Sequence, residues 1–299
     1  MQIGFVGVGL MGGPLARNLI RAGYSVLVFD LSKEAVDRAL AAGDTGKAAG
    51  QLRELRDCDV VFTSLPLPQH VRDTMSGASG LYASMKQGSA HVELSTIDPR
   101  TAEALAEEAS ARGIGYLQCT LGKTPAHAEK AEEPMFIGGD EKLADSLADI
   151  FKAIGQPCHV GTVAASCAVK LVSNMVGMTN LAVLAEGMRV GEKAGLDRKL
   201  LLELLADTGA RSFQMDVRGP WIAADDFNAR FGLDLALKDV RLGCEMARAW
   251  NLDLRATEAA LEYFGQASAA GHGKEDCNAV YKVIGRQTAR ANGAPGKHT

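Results

Sequence analysis

Three glycines and one acid stand at spacings that suit a dinucleotide. Gly7-Val8-Gly9-Leu10-Met11-Gly12 lies between an apolar run, Gln2–Val6, and a helical pattern that begins Pro14-Leu15-Ala16-Arg17. In such a turn Gly7 permits the sharp bend, Gly9 lets the backbone approach a pyrophosphate, and Gly12 allows close helix–strand packing. The helix N-terminus, reached through Leu10 and Met11, then offers N–H groups to the phosphates. A second apolar run, Ser25–Phe29, ends in Asp30, near the separation of roughly 20 residues at which a carboxylate meets the ribose 2′-OH. That carboxylate would repel a 2′-phosphate, so turn and acid together predict NAD(H) rather than NADP(H). The alternative is a glycine-rich turn in some other doubly wound fold, with Asp30 as a helix cap.

Lys170 and Asn174 could do different chemistry. They stand four apart in a stretch without proline, so on a helix their side chains leave one face at adjacent turns. An ammonium can give a proton to a developing alkoxide and stabilise its charge, while an amide can hold an oxygen. Taken alone, Lys-x-x-x-Asn is also an ordinary helix face.

The elements that must position these groups differ between the two halves of the chain. Residues 1–162 alternate β-rich runs (Val60–Ser64, His91–Leu94, Tyr116–Cys119, Met135–Ile137) with helical segments, as a parallel sheet with crossover helices requires. Residues 163–290 read as helical throughout, and Val163–Ala194 as one helix of about 45–50 Å, a hinge between the halves and a spine for the second. Turns are expected at Arg218-Gly219-Pro220 and Asp225-Asp226-Phe227, and a disordered tail at 291–299. A length of 299 residues with 47% hydrophobic content supports about two such domains.

Composition excludes several classes of partner. A net charge of −4 argues against nucleic acid. No unbroken apolar run approaches the ~18 residues of a membrane span, and the first strand follows Met1 directly, so the expectation is a cytoplasmic protein without a leader. The six cysteines show no metal spacing and read as reduced, mostly buried thiols, with Cys158-His159 packed in the core and no metal site.

The order of landmarks is similar to that of a known family. The glycine turn, Leu65-Pro66 after the third strand, Leu94-Ser95-Thr96 after the fourth, a loop at Gly122, Lys170 with Asn174, and Lys238-Asp239 follow one another from Gly7 to about Asp276. In this the chain resembles the β-hydroxyacid dehydrogenases, the family of 3-hydroxyisobutyrate dehydrogenase and tartronate semialdehyde reductase. The resemblance implies an α/β fold with an N-terminal Rossmann dinucleotide-binding domain, then an all-α domain entered by a long interdomain helix. It implies Lys170 as proton donor and acceptor, with Asn174 holding substrate and lysine in register. Leu65, Pro66, Thr96 and Lys238 would lie against the cofactor, Asp239 near the substrate, and the chain would form a homodimer or homotetramer. Plainer alternatives are Thr96 as a helix cap before Asp98-Pro99, and Lys238-Asp239 as a solvated pair.

One loop departs from the family. The usual pattern resembles Asp-Ala-Pro-Val-Ser-Gly-Gly, whose end offers hydroxyl and backbone donors to a substrate carboxylate. Here it is Gln118-Cys119-Thr120-Leu121-Gly122-Lys123-Thr124. Gly122-Lys123-Thr124-Pro125-Ala126-His127-Ala128 is similar to the Gly-Arg-Thr-x-x-x-Ala motif of 3-sulfolactaldehyde reductases, with a point-charge lysine for the forked guanidinium. Gly122, Lys123 and Thr124 are therefore expected to bind a carboxylate or a sulfonate. Lys123 as a solvated loop residue is the bland alternative, and His127 is expected to face solvent or pack in its loop. Further departures are Ala164-Ala165-Ser166 for a Gly-x-Gly, Ser173 for an Asn, and Glu93 for an Asp. The expected function is NAD(H)-dependent interconversion of a small 3-hydroxy acid, or sulfonate analogue, and its semialdehyde. An imine reductase of similar fold and a catalytically silent NAD-binding scaffold are the alternatives.

Overall fold

The computed structural model describes residues 1–285. Its sheet comprises β1 (Gln2–Val6), β2 (Ser25–Phe29), β3 (Gly46–Ala48), β4 (Val60–Thr63), β5 (Ala90–Glu93), β6 (Gly115–Leu121), β7 (Pro134–Gly139) and β8 (Gln156–Gly161), in the order β3-β2-β1-β4-β5-β6-β7-β8. The first six are mutually parallel, connected by helices that include α1 (Gly12–Arg21), α2 (Lys33–Leu40), α3 (Pro68–Met75) and α4 (Pro99–Ser110). The chain winds outward from β1 to β3 and returns to β4 on the other side of β1. A doubly wound sheet binds ligands where the winding reverses, here at the C-terminal ends of β1 and β4.

After β6 the direction changes. A short helix, α5 (Pro125–Glu129), leads into β7, which pairs antiparallel with β6. Met135–Ile137 is thus not one more parallel strand, since an antiparallel neighbour needs no crossover across the sheet face. Helices α6 (Glu141–Ser146) and α7 (Ala148–Ile154) then precede β8. β3 and β8, which the sequence pattern does not show, are the sheet's two edges, and most of their side chains are exposed, so neither carries an apolar signature. Cys158 and His159 lie on β8, which corrects their expected place in the core: Cys158 is exposed, and His159 Nε2 lies 3.0 Å from Gly139 O. The other five cysteines are buried and free.

The chain divides into two compact units, Met1–Ser173 and a second beginning at Asn174, and the division falls inside the helix α8 (Val163–Lys193). The first turns of α8 belong with the sheet because Cys167 packs among Val6, Tyr82 and Tyr116, and Ser166 Oγ donates to Phe136 O at 2.6 Å. By length and mean hydropathy of 1.4, α8 alone would suffice to cross a membrane, although no unbroken apolar run does. It instead supplies Leu181, Ala185 and Met188 to the core of the second unit.

That unit continues with α9 (Arg198–Ala206), α10 (Phe213–Ala223), α11 (Leu233–Ala249) and α12 (Arg255–Ala267). Arg218-Gly219-Pro220 lies within α10, not at the expected turn. Tertiary contacts override the local breaker signal there. Arg218 forms a buried ion pair with Asp276 at 3.1 Å, and Gly219 leaves room for Leu202, whose Cδ2 would stand 2.8 Å from a Cβ. Asp225-Asp226-Phe227 does lie between helices. The expected tail, 291–299, lies outside the described residues.

Candidate active site

The glycine turn is built by sterics. Gly7 has a φ of +85°, and a Cβ there would collide with the Ser64 carbonyl at the end of β4; one on Gly12 would collide with the Gly7 carbonyl. Gly9 differs, for nothing lies within 4 Å of where its Cβ would stand. The open face is the one a pyrophosphate would approach. No side chain caps α1 and no acid occupies its first turn, which leaves the helix end suited to an anion.

Asp30 is not a helix cap; Ser32 caps α2 by accepting from Ala35 N. Asp30 instead accepts from Val8 N through Oδ2 and from Ser32 N through Oδ1, each at 2.8 Å, so the carboxylate is locked to the turn itself. A cavity of about 570 Å³ opens here, walled by Gly9, Leu10, Asp30, Ser32, Pro125 and Ala126. The open glycine, the uncapped helix and the fixed acid fit a dinucleotide.

Buried hydrogen bonds hold the next two loops. Leu65 N donates to Ser95 Oγ at 2.8 Å, and Ser95 N to Glu93 Oε1 at 2.6 Å. The Thr63 hydroxyl donates to Glu93 Oε2 at 2.6 Å. Having given its proton, Thr63 accepts from His91 Nε2 at 2.7 Å, which leaves His91 Nδ1 to accept from the Tyr82 hydroxyl at 2.6 Å. Burial pushes the His91 imidazolium down to about 3, so the ring is neutral. Gln118 Nε2 joins the network by donating to Glu93 O and Ser95 O, both at 3.1 Å. Glu93 and Gln118, both departures from the family pattern, thus tie the loops carrying Leu65-Pro66 and Thr96. Thr96 caps no helix, for Asp98 caps α4 by accepting from Thr101 N.

The third loop carries Gly122, Lys123 and Thr124. Lys170 Nζ, from α8, donates to Leu121 O at 2.6 Å, immediately before it. Gly122 N donates to Pro134 O at 2.9 Å and Lys123 N to Glu133 Oε1, so both backbone donors are engaged within the protein. The Lys123 side chain is exposed, and Thr124 Oγ1 lies 2.8 Å from His127 Nδ1, which packs the histidine in its loop. Asn18 Nδ2 donates to Ala128 O at 2.7 Å, and Arg17 and Arg21 pair with Glu129, which fastens α5 to α1. Thr120 and Ser166, two further departures, meet: Thr120 Oγ1 donates to Ser166 O at 2.9 Å.

One turn beyond Lys170 on α8, Asn174 belongs to the second unit. Its Nδ2 donates to Asp239 Oδ2 at 2.6 Å, and Lys238 Nζ lies 3.0 Å from Asp239 Oδ1. Asp239 is 3% exposed, so Lys238-Asp239 is no solvated pair. Gly243, one turn after Asp239, lets Met175 pack where a side chain would collide with its thioether, and this sets α8 against α11. Glu133, the His91–Thr63 pair and the Thr120–Ser166 pair carry no spacing signal and are found only in the fold. Among the described residues no group of His, Cys, Asp or Glu is placed to hold a metal.

Comparison with known proteins agrees with this construction. Residues 2–167 match the model of the NAD binding domain of 6-phosphogluconate dehydrogenase, and residues 164–284 that of the NAD-binding domain of NADP-dependent 3-hydroxyisobutyrate dehydrogenase. The chain is 32% identical over 290 residues to 2-(hydroxymethyl)glutarate dehydrogenase of Eubacterium barkeri, covering 96% of each. It is 27% identical to 3-sulfolactaldehyde reductase of Escherichia coli, covering 94% of this chain and 95% of that one. The crystal structure of 3-hydroxyisobutyrate dehydrogenase from Salmonella typhimurium superposes with a TM-score of 0.87 at 28% identity, covering 95% of this chain and all of that one. With both halves matched in order and relatives aligned almost end to end, the chain belongs to the 3-hydroxyisobutyrate dehydrogenase family of nicotinamide-dependent hydroxyacid dehydrogenases.

Proposed function

We propose that the protein interconverts a small 3-hydroxy acid, or its sulfonate analogue, and the corresponding semialdehyde, with NAD(H) preferred and Lys170 as the proton donor and acceptor. The observation that carries this reading is the hydrogen bond from Lys170 Nζ to Leu121 O, which fixes an ammonium beside the loop that departs from the family. A nicotinamide bound at the switch point supplies or removes the hydride. In reduction, Lys170 gives its proton to the substrate oxygen as the carbonyl carbon becomes an alcohol carbon, and its charge stabilises the developing alkoxide. In oxidation the amine must first lose that proton.

The acid group falls to Lys123 and Thr124, because the backbone donors of Gly122 and Lys123 are engaged. A point charge grips a carboxylate or a sulfonate without selecting a planar geometry. The relatives' names, a hydroxymethylglutarate and a sulfolactaldehyde, span those same two acids. Asn174, held through Nδ2 by Asp239, keeps its oxygen for the substrate or for Lys170. Asp30 favours a free ribose hydroxyl over a 2′-phosphate, with Leu65, Pro66, Thr96 and Lys238 against the cofactor.

The test is NADH-dependent reduction of small aldehydes that bear a carboxylate, a sulfonate, a phosphate or no acid, with a small cyclic imine assayed beside them. Acid-bearing aldehydes should exceed the neutral one in kcat/KM by at least about tenfold. Equal rates overturn the acid site, turnover of imines alone favours an imine reductase, and no turnover of any favours a scaffold. We also infer a homodimer or homotetramer. Val172, Val176, Val183 and Val190 are each about half exposed or more and lie along one face of α8, a stripe a second copy would cover. A monomeric mass by light scattering would contradict this.

A further inference from the structure

Glu133, one residue before β7, is 0% exposed. Its Oε1 accepts from Lys123 N, and its Oε2 has no hydrogen-bond partner among the described residues. A buried carboxylate oxygen without a donor is costly unless a cation lies near. The main chain on which this side chain stands is held on both sides, with Gln156 N donating to Glu133 O at 2.8 Å and Gly122 N to Pro134 O at 2.9 Å. Lys170 reaches the same short stretch of chain, at Leu121 O, so the acid and the ammonium grip residues two apart.

The charged and titratable groups whose fields act on the Glu133 carboxyl are Lys170, Lys123 and the buried Cys119 thiol, and of these Lys123 bonds to it directly, through its backbone N–H. Burial pushes the carboxyl above the usual range, while the Lys123 N–H and the Lys170 charge draw it back. Cys119 is pushed up by burial and by Glu133, and so stays a neutral thiol.

We propose that Glu133 is a positioning residue for Lys170, the buried counter-charge that anchors the Leu121–Lys123 stretch and keeps the ammonium protonated. The inference rests on the proposed role of Lys170 as proton donor. With Glu133 balancing Lys170, the exposed Lys123 is left to meet the acid group of the substrate, and the reductive form of the site persists to higher pH. In the oxidative direction the same carboxylate raises the pH at which Lys170 becomes a base.

Glu133→Gln retains an acceptor for Lys123 N and removes the charge; Glu133→Leu removes both. The direct readout is the titration of Lys170 in protein carrying ¹⁵Nζ-labelled lysine, its signal assigned by loss in Lys170→Arg. In Glu133→Gln its midpoint should fall by about one pH unit, the smaller end of the effect of a close opposite charge. The alkaline limb of kcat/KM for aldehyde reduction should fall with it, so that above the limb the variant loses about tenfold in rate while KM for NADH stays unchanged. A midpoint equal to the parent's overturns the proposal even if the variant melts earlier, because lost packing alone would not move it. Should Glu133→Leu fail to fold, Glu133→Gln still decides. If Lys170→Ala keeps full turnover, the proposed function fails instead, and the midpoint continues to report on Glu133.

Discussion

The loops that end β4 and β5 and the loop that ends β6 are held in opposite ways. Around Leu65 and Ser95, buried side chains satisfy one another: Glu93 accepts from Thr63 and from Ser95 N, and Thr63 from His91. Around Lys123 the cation is exposed, and the buried Glu133 keeps an oxygen without a hydrogen-bond donor among the described residues. A closed network fixes a shape, and a loop that leaves charges unspent can still answer to a ligand. On the proposed assignment, the fold sets the cofactor side, and substrate choice falls to a few side chains around Lys123 that are not tied into that network.

If that division holds, substitutions on the two sides should separate binding of cofactor from handling of substrate. The largest effect belongs to Lys170→Ala, which should cut turnover by roughly 10²-fold or more and leave NADH affinity within about twofold. Stopped-flow turnover with fluorescence titration measures both, and a proportional loss of both would erase the distinction. Acid should next attack the cofactor side. His91 is neutral in the fold, with its imidazolium pushed down to about 3, and in the unfolded chain it takes up a proton near 6.5. The unfolded state thus gains protons first, and stability present above about pH 6.5 is lost as pH falls toward 3, by roughly 2–3 kcal/mol at about pH 4.5. Urea midpoints should fall less with pH in His91→Gln; parallel curves would mean that His91 is already protonated in the fold.

Lys123→Ala should raise KM for acidic aldehydes by roughly 10- to 100-fold, or about 1.4–3 kcal/mol, and leave a neutral aldehyde unchanged. Lys123→Arg sharpens this, since a forked guanidinium should shift preference toward a sulfonate over a carboxylate. Unaltered KM values in the alanine variant would make Lys123 a solvated loop residue. Smallest is Asp30→Ala. The parent should prefer NADH to NADPH by at least about tenfold, some 1.4 kcal/mol, and the variant should bring the two toward parity.

The sequence showed those parts of the molecule where a residue's own chemistry dictates its place. The glycine turn, Asp30 after an apolar strand and the long apolar helix are all legible, because backbone freedom, charge and periodicity act over a few neighbouring residues. Edge strands β3 and β8 are not, since exposed strands need no apolar alternation. Arg218-Gly219-Pro220 misleads for the converse reason: a partner 58 residues away, Asp276, keeps a helix where local signals predict a turn. Glu133 is hidden in the same way, for Glu132-Glu133-Pro134 looks like solvated charge, and only the pairing of β6 with β7 brings it beneath Lys123. Residue types at the site were readable, but which donors are already engaged was not.

Thr120 and Ser166 bear on how such a chain can change over generations. Each occupies a position where the family pattern has another residue: the Thr120 hydroxyl donates to the main-chain carbonyl of Ser166, and Ser166 Oγ donates to Phe136 O. Proline at 120 would remove both the hydroxyl and the N–H that faces Ser166 Oγ, and glycine at 166 would remove the link to β7. Ser166 Oγ thus joins β6 and β7 at the start of α8, and a graft of the family's loop into this chain would change the groups that this hydroxyl meets.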